Sequence, residues 1–194
     1  MTARLGWSIL GVSVLLVLTG LVVATAPRED TITEPFEVHG GMGETITSRA
    51  LVVEPIALAL TERLDIVYRD DVGDTTTDGV WVVLDTRVTG RVGSPTLSYS
   101  ELRIGGTSYR LSEVLPAPSL LTLSYGAGVP EEGTLVFELP RSALEAPGSS
   151  AASIIIRPQL DSQLDLLPVI DVDLTELEVQ PSVRVDEVTV ADPR

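Results

Sequence analysis

Proline spacing limits this chain more than any other feature. Between residues 116 and 181, prolines stand at positions 116, 118, 130, 140, 147, 158, 168 and 181. Each removes a backbone donor and crowds the preceding turn, so no long helix fits among them. The intervening sequence consists of short β-branched runs bounded by Gly, Asp and Ser, which predicts strands. The pattern places strands at 36–39, 49–60, 64–68, 80–89, 97–104, 107–111, 134–139, 153–157, 169–174 and 182–190. The clearest begins Val80-Trp81-Val82-Val83, apolar on both faces as a central strand should be. It then alternates, with Leu84, Thr86 and Val88 on one face and Asp85 and Arg87 on the other. Gly40-Gly41, Gly73-Asp74, Asp78-Gly79, Gly105-Gly106 and Glu132-Gly133 read as turns. Ile104-Gly105-Gly106-Thr107 fits a two-residue hairpin. Residues 140–145 allow one helical turn, ended by Pro147. With two Trp, four Tyr and two Phe, the core must rest on Val, Leu and Ile, with Trp81 its main anchor. These features predict an all-β fold, a β-sandwich.

A different pattern precedes it. Residues 5–27 are 23 consecutive uncharged positions, mostly apolar, between Arg4 and Arg28. As a helix they would extend about 34 Å, enough to cross a hydrocarbon core of about 30 Å. The expectation is one N-terminal transmembrane helix, touching lipid through residues 5–27, with residues 28–194 extracellular. Ala24-Thr25-Ala26 also matches a signal-peptidase site, which would give a secreted form cut near Ala26, but Pro27 opposes that cut. The domain reading is an anchor at 1–27, a polar stalk at 28–35, a sandwich at 36–190 and a frayed tail at 191–194.

Composition excludes several activities. The chain has 28 acidic and 13 basic residues, a net charge of −15, and every basic residue is Arg. This balance argues against nucleic acid as a partner. The absence of Cys removes disulfides, thiolate metal sites and a Cys nucleophile. A single His rules out a His-rich metal centre.

Few residues remain as site candidates. His39 would have to serve any Ser–His–Asp triad, but no G-x-S-x-G elbow presents a nucleophile, so a structural or solvated role is favoured. Asp70, Asp71, Asp74 and Asp78 are weak calcium candidates in the acidic stretch 69–79. Their spacing does not fit an EF-hand, and a solvated loop is the favoured reading. A second acidic group comprises Asp161, Asp165, Asp171, Asp173, Glu176 and Glu178. In it Ile170, Val172 and Leu174 alternate with Asp171 and Asp173, suggesting either a charged edge strand or a docking face for a basic partner. Leu120, Leu121, Leu123 and Tyr125, in 116–128, read as core rather than as an exposed apolar loop. Glu131 and Glu132 lie in a Gly/Pro turn without the aromatics a glycosidase site needs.

Four segments recur in the order and spacing of a known family: 43–54 (GETITSRALVVE), 79–90 (GVWVVLDTRVTG), 102–111 (LRIGGTSYRL) and 128–140 (GVPEEGTLVFELP). Together they resemble the telokin-like, immunoglobulin-like extracellular domains of Gram-positive surface proteins. The resemblance implies a sandwich of about seven to nine strands, often behind one N-terminal membrane segment. It implies no catalytic activity and carries over no functional residues.

The functional expectation is a non-enzymatic, membrane-anchored interaction domain with a protein partner and no cofactor, such as an accessory subunit of a membrane or envelope complex. The alternative is a ligand- or calcium-binding surface sensor. A cell-wall hydrolase ranks last, because no nucleophile can be recognised.

Overall fold

The structure, a computed structural model, describes residues 14–21, 35–69, 71–97, 99–158 and 165–192. The chain divides into two compact units, 1–34 and 35–194. In the first unit, residues 14–21 are helical. At about 1.5 Å per residue this described helix is far shorter than a bilayer core. Among the described residues no helix is long and apolar enough to cross a membrane. The expected spanning helix at 5–27 is therefore not seen as such, and the rest of that segment lies outside the described residues. Residues 28–34 of the expected stalk, and residues 193–194 of the expected tail, also lie outside them.

The second unit is a two-sheet β-sandwich. Its strands are β1 (Phe36–Gly40), β2 (Ile46–Thr47), β3 (Leu51–Tyr68), β4 (Asp71–Gly90), β5 (Glu101–Ile104) and β6 (Thr107–Arg110). They continue with β7 (Pro130–Leu139), β8 (Ala152–Ile155), β9 (Leu166–Val172), β10 (Val179–Gln180), β11 (Val183–Val185) and β12 (Thr189–Val190). One sheet has the order β1-β9-β8-β5-β6; the other has β10-β3-β4-β7-β12, with β2 and β11 also paired to β3. β1 runs parallel to β9, and β10 and β11 run parallel to β3; the remaining pairs of strands are antiparallel.

The inward faces make the core. Val80, Val82, Leu84 and Val88 of β4 and Leu135, Phe137 and Leu139 of β7 meet Leu102, Ile104, Ile154, Ile170 and Val172 of the facing sheet. Several of these side chains are fully buried, each worth about 1.5–3 kcal/mol relative to exposure. Trp81 does not anchor this core. It points outward from β4 into a separate cluster with Leu64, Val83, Val136 and Val185. β11 and the Val114-Leu115 segment cover that cluster. The large aromatics of the main core are Phe137 and Tyr125.

β3 and β4 form one long hairpin, which corrects two expectations. Residues 49–60 and 64–68 belong to a single strand, interrupted by irregularities at Pro55/Ala57 and Thr61/Arg63. The stretch read as an acidic loop with turns at Gly73-Asp74 and Asp78-Gly79 is the first half of β4. Turn-forming composition yields there to ladder pairing along β3. The outer edge of β3 is covered in pieces by β2, β10 and β11. Pro55 and its irregularity fall between the pieces paired with β2 and β10, which is how an edge avoids pairing with another chain.

Other expectations also shift. Glu132-Gly133 is inside β7, not a turn. The predicted strand at 97–104 shortens to β5, and 182–190 divides into β11 and β12. β2 and β10, each of two residues, were too short to register in the sequence. Ile104 and Thr107 do close a two-residue hairpin, with Gly105 at φ +56°. Residues 141–143 form the one expected turn of helix.

Candidate functional site

The single histidine sits on β1, two residues from Glu37 and so on the same face. Its Nδ1 lies 3.0 and 3.1 Å from the carboxylate oxygens of Asp171 on β9, and its Nε2 lies 3.3 Å from Glu37. The hydrogen bond to Asp171 leads in raising the imidazole pKa above 6.5; burial opposes it, and Glu37 adds to the rise. Both ring nitrogens are engaged by carboxylates, an arrangement that favours the protonated ring and ties β1 to β9. The network continues from Glu37 to Arg103 at 3.3 Å, from Arg103 to Glu101 at 3.3 Å, and from Glu101 to Arg157 at 3.2 Å. Burial pushes the Glu101 carboxyl up, but Arg157, Ser108 and Arg103 outweigh it and leave it below the ordinary carboxylate range.

The weak calcium candidates do not come together. Asp71, Asp74 and Asp78 are exposed along β4, with Asp74 3.7 Å from Arg63. Asp71 and Asp74 project to opposite faces because their separation is odd. Asp70 lies outside the described residues. Among the described residues no three His, Asp or Glu side chains are grouped to hold an ion.

The second acidic group is also dispersed. Asp171 is the partner of His39, and Asp173 accepts hydrogen bonds from the backbone and hydroxyl of Thr175. The alternation is as expected, since Ile170, Val172 and Leu174 are buried and Asp171 is exposed. However, β9 lies between β1 and β8 and is not an edge. Asp161 lies outside the described residues.

Glu131 and Glu132 are consecutive on β7 and face opposite ways. Glu132 points outward and, with Glu54, holds Arg87 at 2.9 Å on each side, joining β3, β4 and β7. Glu131 pairs across from the buried Val88, and burial raises its pKa. Such a pair cannot flank one scissile bond. Near Glu132 on the outer face, Asp85 accepts from the Thr134 hydroxyl at 2.7 Å. Burial raises the Asp85 pKa, Thr134 works against the rise, and Glu132 and Asp186 add to it.

Residues 116–128 do enter the core, as a loop rather than a strand. Leu120 and Tyr125 are fully buried, and Leu123 packs against the cluster. Leu121 of this loop also lines a groove that no sequence motif announced. The groove encloses about 420 Å³ between Tyr99, Ser100 and Glu101, the end of β6 at Arg110 and Leu111, and the side chains of Glu113, Leu121 and Arg157. Leu111, Glu113 and Leu121 also line an adjoining hollow of about 360 Å³. Ser100 is 2% exposed, and its hydroxyl has no hydrogen-bond partner among the described residues. Arg157 and Glu101 are paired with each other. Arg110 and Glu113, both exposed, make no ion pair among the described residues. The groove thus combines an aromatic ring and two leucines with four charged side chains, two of them in no ion pair among the described residues.

No family model and no curated protein matches the chain. Solved structures do show partial likeness. An uncharacterized beta-sandwich protein of Clostridium difficile is 11% identical, covering 75% of this chain and 99% of that one, with a TM-score of 0.44. A secreted protein of Mycobacterium tuberculosis is 16% identical, covering 71% of this chain and 98% of that one, with a TM-score of 0.46. The yjhA protein of Bacillus subtilis is 13% identical, covering 68% and 99%, with a TM-score of 0.46. None of these likenesses bears on what this chain binds. The telokin-like family is not supported by them; the two-sheet sandwich that the resemblance implied is present in the structure.

Proposed function

We propose that this chain is a non-enzymatic binding module held at the cell membrane by residues 5–27, with its sandwich outside, serving as an accessory subunit of a membrane or envelope complex. The observation that carries this reading is the run of 23 uncharged residues ahead of an acidic β-sandwich. Two features support it. Phe36 is 61% exposed beside its register partner Leu166 at 38%, an apolar pair at the first rung of β1 and β9. The single histidine is occupied by two carboxylates, which suits it to holding strands together rather than to proton transfer. The telokin-like resemblance belongs to the same reading and rests on the four sequence motifs alone.

The experiment is fractionation of cells producing the full chain, followed by alkaline carbonate washing of the membranes. The chain is expected in the washed pellet, and a Leu15→Arg, Leu16→Arg variant in the soluble fraction. A native chain released by carbonate would contradict the anchor.

A second reading, a surface domain that binds a small ligand, is favoured by the groove beside β5 and β6. In that reading the groove, and not the aspartates of the β3–β4 hairpin, is the binding site.

A further inference from the structure

We infer that the groove beside β5 and β6 binds a short zwitterionic peptide, with the peptide carboxylate on Arg110 and its ammonium group on Glu113. The inference deepens the ligand-binding reading and does not depend on how the chain is anchored.

The charge inventory selects the ligand. Four charged side chains line the groove, and two of them, Glu101 and Arg157, are committed to each other at 3.2 Å. Glu101 is further held by Arg103. The remaining two, Arg110 and Glu113, are three residues apart in sequence, exposed, and in no ion pair among the described residues. A simple anion would satisfy Arg110 and be repelled by Glu113. A simple cation would do the reverse. A molecule with both charges satisfies both groups, and the net charge of −15 then opposes it less than it would an anion.

The rest of the groove suits the body of a peptide. Leu111 and Leu121 offer apolar surface to an aliphatic side chain, and the Tyr99 ring is 46% exposed. Ser100 also lines the groove, with its hydroxyl oxygen itself buried. An exposed guanidinium matches a terminal carboxylate in planar, two-point geometry. The volume of about 420 Å³ falls among small-molecule sites and fits a dipeptide more readily than a folded partner.

The test is calorimetric titration of the purified full chain in detergent micelles with three probes: leucyl-leucine, its N-acetyl form and its C-terminal amide. The free dipeptide is expected to bind saturably, and each capped form about tenfold or more weakly, the worth of one charge-assisted contact. Arg110→Gln should abolish discrimination against the amide but keep discrimination against the acetyl form. Glu113→Gln should do the opposite. Both side chains are exposed, and unchanged melting curves would show that the variants fold. No saturable binding at millimolar peptide would overturn the inference. So would loss of affinity on only one kind of capping, which would mark a plain anion or cation site, or discrimination that survives both variants.

Discussion

The Tyr125 hydroxyl donates a 2.5 Å hydrogen bond to the carbonyl of Leu120, and both residues are fully buried. This bond closes the loop from 116 to 128 on itself and lets an irregular segment fill the end of the sandwich without a strand's hydrogen bonds. Burial pushes the phenol pKa well above its usual value, with the Glu131 charge adding to the shift, so the hydroxyl stays a donor at any physiological pH. Tyr125→Phe keeps the ring and strands the Leu120 carbonyl. It should cost about 1–3 kcal/mol in urea unfolding, with an unchanged denaturant slope. A variant as stable as the native chain would show that the bond does not hold the loop.

The same loop explains Gly90. A Cβ there would lie 2.5 Å from the Tyr125 carbonyl oxygen and 2.8 Å from that of Gly126, both backbone atoms that cannot swing aside. Gly90→Ala should therefore destabilise by about 1–3 kcal/mol or more. Gly73→Ala, on the same strand with nothing within 4 Å, should be neutral or slightly stabilising. Equal melting temperatures for the two variants would contradict this packing.

His39 predicts a pH dependence. Its pKa in the folded protein is raised above 6.5, chiefly by Asp171. Its contribution to stability is thus complete below 6.5 and is lost as pH rises through the higher folded value. The side chain is half exposed, so the effect should stay below about 1 kcal/mol. Proton NMR of the imidazole should give a pKa above 6.5, and His39→Gln should remove the stability lost between pH 6 and pH 9. A pKa at or below 6.5 would show that the pairing does not form in solution.

Asp85 has the opposite consequence for its own substitution. Burial raises its pKa, so the native state is penalised when it ionises, and that penalty vanishes as pH falls below the ordinary value of 3.8. Asp85→Asn keeps an acceptor for the Thr134 hydroxyl. It should raise the melting temperature at pH 7 and lose that advantage near pH 3. A loss of stability at pH 7 would mean that the charge is needed where it stands.

The sequence was most informative where structure is local. The Gly105-Gly106 hairpin and the alternation of Ile170, Asp171 and Val172 need only neighbouring residues to be read. The acidic stretch from Asp71 to Gly79 was misread because Asp, Gly and Thr look like turn residues alone. β3 pairs along it, and β11 covers the β3 rungs opposite Gly73–Thr75, so it becomes strand. Trp81 was rightly expected to be buried but on the wrong side of its sheet, because nothing in β4 says that β11 and Val114-Leu115 will cover the outer face. The groove was invisible for a related reason. Tyr99, Arg110, Leu121 and Arg157 belong to four separate segments and meet only in the folded chain.

The proposed outward-facing sandwich of an anchored chain is directly measurable, because the chain has no cysteine. Val92, 63% exposed in the sandwich, and Thr2, ahead of the apolar run, can each be replaced by the chain's sole cysteine. Intact cells of a Gram-positive host producing each variant are then treated with a membrane-impermeant maleimide before and after lysis. Val92→Cys is expected to be labelled in intact cells and Thr2→Cys only after lysis, with both remaining in the membrane. Labelling of Val92→Cys only after lysis would place the sandwich inside and contradict the proposal.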